Sequence, residues 1–380
     1  MRTEALVMQE AGRPLRVEQV DLDAPASGEV LVRLRAAGVC RSDLHAVDGE
    51  WRRPTPIVLG HEGAGQVAAL GAGVTGLAVG DHVVLTWLPP CGQCRSCRAG
   101  RTFLCSASSA ATHLPPDGTA RVHRMDGTDL FQYSGIGTLS GASVVPAAAC
   151  VPVPREVPFT VAALIGCGAA TGWGAVVNTA AVTSGQSVVV VGCGGVGLSA
   201  VMAAAAAGAT PVVAVDVQPD KLAAAVELGA THAALAEPGW PQEVRQLTDG
   251  VDVGFDCIGD PAVIGGLFEV VVPGGAVVLV GMTAQGVTIP VDGYRMPDAG
   301  FRLLGSAYGS CVAERDFPRI AGLFLDGALP LDRLVSHRIG LAEVPEALAE
   351  MRAGRRLRSV VTWSADSSRA GRPGSGPGSS

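Results

Sequence analysis

Val188-Val189-Val190-Val191-Gly192-Cys193-Gly194-Gly195-Val196-Gly197 joins a β-branched run to a glycine-rich turn, and an Ala-rich stretch to Ala207 follows. The four valines read as an apolar strand running into the turn. The spacing Gly-x-Gly-Gly-x-Gly then predicts a tight turn at Gly192, approach of a pyrophosphate to the backbone at Gly194 and close helix packing at Gly197, with the helix N-terminus favouring the phosphate charge. In a chain with 51 glycines such a turn alone would say little. Its context is what makes it specific, since the next strand, Val212-Val213-Ala214-Val215, ends at Asp216. A carboxylate there accepts hydrogen bonds from an adenosine ribose and repels a 2'-phosphate, so the expected cofactor is NAD rather than NADP.

Outward from this turn, apolar runs at Val251 to Asp256 and Ala276 to Val280 alternate with helical stretches, the pattern of βαβ units on a doubly wound parallel sheet. Residues 1 to about 165 read instead as short alternating strands broken by Gly and Pro, such as Glu29-Val30-Leu31-Val32-Arg33-Leu34-Arg35. After about Ala307 the βα alternation stops, and Arg358-Ser359-Val360-Val361-Thr362-Trp363 reads as a last strand returning to the first domain. The expected organisation is α/β: a discontinuous β-rich catalytic domain at 1–168 and 308–363, a Rossmann domain at 169–307, and a disordered tail at 364–380, where Ser, Gly, Pro and Arg offer too little apolar surface to offset ordering.

The 380 residues suit two cores. No uninterrupted apolar run spans a bilayer and the N-terminus lacks a secretory pattern, so no membrane association is expected and a cytoplasmic location is. A net charge of -7 without a basic cluster argues against nucleic acid as a partner. Ten cysteines in such a chain point to metal ligands or buried thiols rather than disulfides.

Cys91, Cys94, Cys97 and Cys105 have the spacing C-x2-C-x2-C-x7-C within one Gly- and Pro-containing loop. Four converging thiolates suit a structural zinc. An iron-sulfur cluster is the rival, but ferredoxin loops continue C-x3-C-P and this one does not. Three further ligand types stand in Gly38-Val39-Cys40-Arg41-Ser42-Asp43-Leu44-His45, Gly60-His61-Glu62-Gly63-Ala64-Gly65 and Gly166-Cys167-Gly168, each expected to follow a short apolar strand. Singly, His61 reads as a satisfied core histidine and each cysteine as a small buried hydrophobe. Together two cysteines and a histidine make a catalytic zinc set with one position open, and Asp43 and Glu62 are placed to orient an imidazole or balance thiolate charge.

In this order the motifs resemble those of the zinc-containing alcohol dehydrogenases of the medium-chain dehydrogenase/reductase family, over about residues 3 to 363. The resemblance implies a GroES-like catalytic domain beside the Rossmann domain and two zinc ions per chain. It implies Cys40, His61 and Cys167 as catalytic zinc ligands, Asp43 behind His61, and Glu62 as an occasional ligand. Ser42 and His45 would relay the alcohol proton to solvent, and Lys221, the sole lysine, would touch the ribose. Arg41 and Arg358 would meet the pyrophosphate, and Thr171, Val196 and Val280 the nicotinamide.

The implied reaction is reversible hydride transfer between a primary alcohol or aldehyde and NAD. Thr86 to Cys105 and Tyr308 to Pro318 look like the class III-like, actinobacterial branch that includes mycothiol-dependent formaldehyde dehydrogenases, so a hydroxymethyl-thiol adduct is the alternative substrate. A zinc-free quinone reductase is disfavoured by the Cys and His ligands, and a non-catalytic NAD- and zinc-binding sensor would need the open metal position closed. The family also implies a homodimer or homotetramer, paired through the sheet edge around Gly300 to Gly305.

Overall fold

A computed structural model describes residues 1–363; the stretch 364–380, expected to be a disordered tail, lies outside the described residues. The strands sort into three sheets. Arg2–Met8, Arg16–Leu22, Val122–Arg124, Asp129–Gln132 and Ile57–Val58 close a small barrel. Beside it lies a seven-stranded sheet whose centre is Glu29–Gly38, paired with Glu62–Leu70, Ala142–Pro146 and Ser359–Thr362. The last of these is the predicted returning strand, with Val361 opposite Ala37.

The third sheet is the one the valine run announced. Six parallel strands run in the order His232–Leu235, Val212–Asp216, Val188–Val191, Val251–Asp256, Val271–Leu279 and Arg302–Gly305. Val188 to Val191 are all 0% exposed, as a central strand covered on both faces requires. The helix Gly195–Ala206 packs so tightly at its start that a Cβ on Gly197 would stand 1.8 Å from the Gly192 carbonyl oxygen, and Gly192 itself turns at φ +97°. Only glycine fits either position. Next to Gly194, by contrast, the space is open. The fifth strand starts earlier than the apolar run suggested, at Val271, because Val251 pairs with it before the register shifts.

Three expectations need correction. Cys167 does not follow a strand. It lies within a continuous helical stretch, Phe159–Ala180, at a wide π-type turn over Ile165–Ala169, since the run Val161 to Ile165 packs as a buried helix. That stretch is long and apolar enough to cross a membrane, with mean hydropathy 1.6 over its most apolar 18 residues, yet 83% of those 18 are buried inside the protein. It is a core helix shared by the two halves: Trp173 and Val176 join Val188 and Leu198 in one apolar cluster. The alternation also does not stop after Ala307: His337–Ile339, the helix Val344–Arg352 and Ser359–Thr362 form a further parallel βαβ unit. Its strands are too short to show a period in sequence.

Candidate active site

Asp43 explains why two distant ligand types meet. It is fully buried in the first turn of the helix Arg41–Val47. One carboxylate oxygen accepts the Cys40 backbone N–H at 3.0 Å, and the other bonds His61 Nδ1 at 3.1 Å. A single capping residue therefore fixes both the end of Glu29–Gly38 and the start of Glu62–Leu70. Cys167 arrives from the wide turn, and the ligand atoms of Cys40, His61, Glu62 and Cys167 all lie within 4.8 Å of one another, every residue buried.

The electrostatics of this cluster are strained in favour of a cation. His61 Nε2 is buried with no hydrogen-bond partner, as is Glu62 Oε2. A hydrogen bond from Cys167 holds the Cys40 thiol well below its ordinary range, with the His61 and Arg358 charges adding. Hydrogen bonding to Cys40 and burial hold Cys167 well above it. Burial alone would lower His61, but Asp43 and Cys40 outweigh it and keep it raised. Burial pushes Glu62 up to about 7 despite the Arg358 charge. Orphaned buried polar atoms of this kind are costly unless something binds them. Two sulfurs, one imidazole nitrogen and a nearby carboxylate fit zinc.

Arg358, 6% exposed, donates to Glu62 Oε1 and to the Val39 carbonyl oxygen at 3.3 Å. Its guanidinium also stands against Gly195 in the glycine-rich turn. On the same side, Asp216 accepts N–H bonds from Cys193 at 2.7 Å and Gln218 at 3.0 Å. Lys221 is half-buried on Pro219–Glu227, and its charge reaches Cys193. Thr171, Val196 and Val280 are each half-buried, whereas Arg41 is exposed. Ser42 Oγ lies 3.8 Å from Cys40 Sγ. His45 is half-buried: its Nδ1 bonds Glu50 and its ring stacks on Trp51 at 4.7 Å.

The second cluster is local. Cys91, Cys94, Cys97 and Cys105 also bring their sulfurs within 4.8 Å of one another. The loop's own N–H groups point at them, Cys91 N to Cys105 Sγ at 3.3 Å and Cys94 N to Cys91 Sγ at 3.4 Å. The Cys97 and Ser106 N–H groups hold Cys94 down at about 6. Four such thiols fit a structural zinc. A cavity of ≈ 270 Å³ separates this loop from Thr86 and Tyr308, and none of the four buried ligand types lines it.

Sequence reasoning missed the aromatic wall. The Tyr133 ring lies 5.3 Å from the His61 ring, and its hydroxyl donates to the Ser42 carbonyl oxygen at 3.2 Å. Tyr308 donates to the Gly166 carbonyl oxygen, bonds Thr86 Oγ1 at 3.2 Å and packs on Trp87 at 4.6 Å. The chain has only three tyrosines, and two of them stand here; that scarcity was the available signal.

This arrangement agrees with what known proteins share with the chain. Residues 26–155 match the alcohol dehydrogenase GroES-like domain and residues 195–326 the zinc-binding dehydrogenase domain. The chain is 39% identical over 374 residues to the NDMA-dependent alcohol dehydrogenase of Amycolatopsis methanolica, covering 96% of this chain and 100% of that protein. The chain belongs to the zinc-containing alcohol dehydrogenases of the medium-chain dehydrogenase/reductase family. A second member, the S-(hydroxymethyl)glutathione dehydrogenase of Paracoccus denitrificans, is 37% identical over 96% of this chain and 100% of that protein. Among solved structures of the family, the alcohol dehydrogenase zinc-binding domain protein of Burkholderia ambifaria superposes with a TM-score of 0.92 at 36% identity, covering 96% and 99% of the two chains. The fold is thus a GroES-like domain with a Rossmann domain, and the enzyme is a zinc-dependent alcohol dehydrogenase, an oxidoreductase.

Proposed function

We propose that the enzyme interconverts primary alcohols and aldehydes with NAD, using one zinc held by Cys40, His61 and Cys167 and a second held by Cys91, Cys94, Cys97 and Cys105. The observation that carries this reading is His61: Asp43 occupies Nδ1, which leaves the buried Nε2 as an unpartnered donor beside two sulfurs. Bound zinc supplies the Lewis acidity that makes an alcohol acidic at neutral pH, and NAD supplies the hydride acceptor. The chain's residues do the rest. Asp43 fixes the imidazole's orientation. Ser42 takes the proton of the alcohol, and His45, 19% exposed and braced by Glu50 and Trp51, passes it to solvent. Glu62 stays paired with Arg358 and serves as an occasional ligand, while Arg358 and Arg41 face the cofactor phosphates.

The open space at Gly194 and the helix starting at Gly195 suit the pyrophosphate. Asp216 and Lys221 take the ribose, and the Asp216 charge beside the turn favours NAD over NADP. Thr171, Val196 and Val280 line the nicotinamide end. A hydroxymethyl-thiol adduct is the second substrate reading, supported by the likeness to the Paracoccus enzyme. Arg302–Gly305 ends the six-stranded sheet without a further neighbour among the described residues, which supports a homo-oligomer, dimer or tetramer, paired at that edge. The ten cysteines are all free, in keeping with a cytoplasmic enzyme.

The test is growth of NADH absorbance with a panel of primary alcohols and hydroxymethyl-thiol adducts, run beside zinc analysis. Turnover is expected at about two zinc per chain. Undiminished turnover by Cys40→Ser, or none by the zinc-loaded wild type on any alcohol, would refute the reading.

A further inference from the structure

Cys40 and His61 stand at a strand end and a strand start, but the place of Cys167 depends on the wide turn over Ile165–Ala169. A π-type turn interrupts the α-helical ladder and leaves carbonyls free for partners from outside the helix. One neighbouring segment supplies two such partners, from the short turn Ala307–Ser310 and the residue after it. The Tyr308 hydroxyl donates to the Gly166 carbonyl oxygen, and Cys311 Sγ donates to that of Ala170 at 3.2 Å. Cys167 is bracketed by the two. The bracketing segment is itself strained: Tyr308, Gly309 and Ser310 run consecutively through the left-handed region, at φ +53°, +64° and +51°. A bulky side chain rarely adopts that conformation, and residues that do persist only where their surroundings over-determine them. Here Ser310 Oγ bonds Thr179 Oγ1 at 2.8 Å, and Asn178 Nδ2 donates to the Gly309 carbonyl oxygen at 3.5 Å. A Cβ on Gly309 would stand 2.5 Å from the Ala170 carbonyl oxygen, so the segment presses directly on the helix.

The direction of each bond follows from counting protons. Burial holds the Tyr308 phenol well above its ordinary range, so its single proton stays on and goes to Gly166. Thr86 Oγ1, fully buried and 3.2 Å away, must then donate to the Tyr308 oxygen while it accepts the Leu88 N–H at 3.4 Å. The Thr86 N–H bonds the Ala149 carbonyl oxygen at 2.8 Å, which ties the relay to the paired strands His82–Leu85 and Cys150–Pro152. Packing alone does not set the ring, because Tyr308 and Cys311 both line the cavity of ≈ 270 Å³. Phenylalanine at 308 would keep the contact with Trp87 but would take this partner from both the Gly166 carbonyl and the Thr86 hydroxyl.

We propose that Tyr308 is a positioning residue for Cys167: its hydroxyl holds the wide turn in the shape that brings Cys167 Sγ to Cys40 and His61. On the zinc reading above, on which this rests, that hydroxyl decides how well the second sulfur reaches the ion.

The test uses the full-length enzyme as wild type, Tyr308→Phe, Thr86→Val and, as a control, Tyr294→Phe, whose ring is exposed. Two readouts are taken besides turnover: the sulfur-to-cobalt charge-transfer absorption with cobalt replacing zinc in the buried cluster, and the rate at which the zinc enzyme gives up metal to a chromogenic chelator. Tyr308→Phe is expected to shift the absorption and to release about one zinc per chain about tenfold faster, the size of a lost hydrogen bond to a buried carbonyl, while the second zinc leaves at the wild-type rate. Thr86→Val should move both readouts the same way by less, and Tyr294→Phe should move neither. An unchanged spectrum and release rate in Tyr308→Phe, whatever its Tm, would overturn the assignment, because a side chain that only fills space alters stability and not the surroundings of the ion. If the wild type took up no cobalt at Cys40, His61 and Cys167, the zinc reading would fall instead, and hydrogen exchange would still decide Tyr308. Faster exchange in Tyr308→Phe confined to the N–H groups of Ile165–Ala169 would support its hold on that turn, and exchange equal to wild type would refute it.

Discussion

The two zinc-type clusters use the same donor chemistry and are built in opposite ways. Cys91, Cys94, Cys97 and Cys105 come from one loop, three of them half-exposed, and their own backbone N–H groups supply the surrounding bonds. Cys40, His61 and Cys167 come from a strand end, a strand start and a helix turn, all buried, and they lean on Asp43, Glu62 and Arg358. The loop cluster closes on itself, so a metal there substitutes for a core. In the buried cluster the fold holds the ligands, so the metal is free to serve chemistry.

If that contrast is right, Cys40→Ser or His61→Ala should lower kcat/KM on the order of a thousandfold or more, bring zinc from about two to about one per chain, and leave NAD binding intact. Activity, zinc content and NAD titration check it together. Loss of NAD binding would show that the two halves are not separable in the way the geometry suggests.

Cys94→Ser should do the reverse. Zinc again falls to about one, but the loss appears as stability, several kcal/mol and on the order of 5 °C or more in Tm, while the folded fraction keeps most of its kcat. An unchanged Tm with abolished kcat would erase the distinction between the clusters.

A smaller effect comes from His113, whose ring lies 5.7 Å from that of Tyr133. His113 turns at φ +60° and accepts the Ser134 N–H at 2.9 Å on Nδ1. Its pKa is pushed from 6.5 down to about 4, by burial first and Arg53 second. Between those values the unfolded chain binds more protons than the folded one. Its contribution is therefore fully present above pH 6.5 and is lost as pH falls toward 4, about 2 to 3 kcal/mol across the window. Asparagine tolerates the same backbone and can accept the same N–H. His113→Asn should accordingly flatten the fall of Tm between pH 6.5 and pH 4, and metal release common to both proteins cancels in the difference. An identical slope would remove His113 from the account.

How much of this the sequence disclosed follows the same division. The cysteine loop was legible because its ligands are close in the chain and spacing is the geometry. The glycine turn was legible because Gly192 and Gly197 answer local steric demands. The buried ligands were legible only as a set, through their neighbours Asp43 and Glu62. Cys167 was misplaced because a wide helical turn and a short strand share the same apolar run, and only tertiary packing separates them. Tyr133 and Tyr308 were silent because nothing local marks a side chain that acts by facing another segment more than 70 residues away.

The smallest effect belongs to the region that touches neither cluster. Asp216 spends both carboxylate oxygens on backbone N–H groups, those of Cys193 in the glycine turn and Gln218 beyond the strand. Replacing it with glycine removes a negative charge and frees two N–H donors at the place a 2'-phosphate would occupy. Asp216→Gly should therefore move the NADP to NAD ratio of kcat/KM upward by about tenfold, roughly 1.4 kcal/mol. Zinc should stay at about two per chain and the order of preference among alcohols should not change. Because Asp216 also braces the turn, kcat with NAD is the control: a common fall with both cofactors and an unchanged ratio would mean that the carboxylate shapes the backbone and does not choose the cofactor.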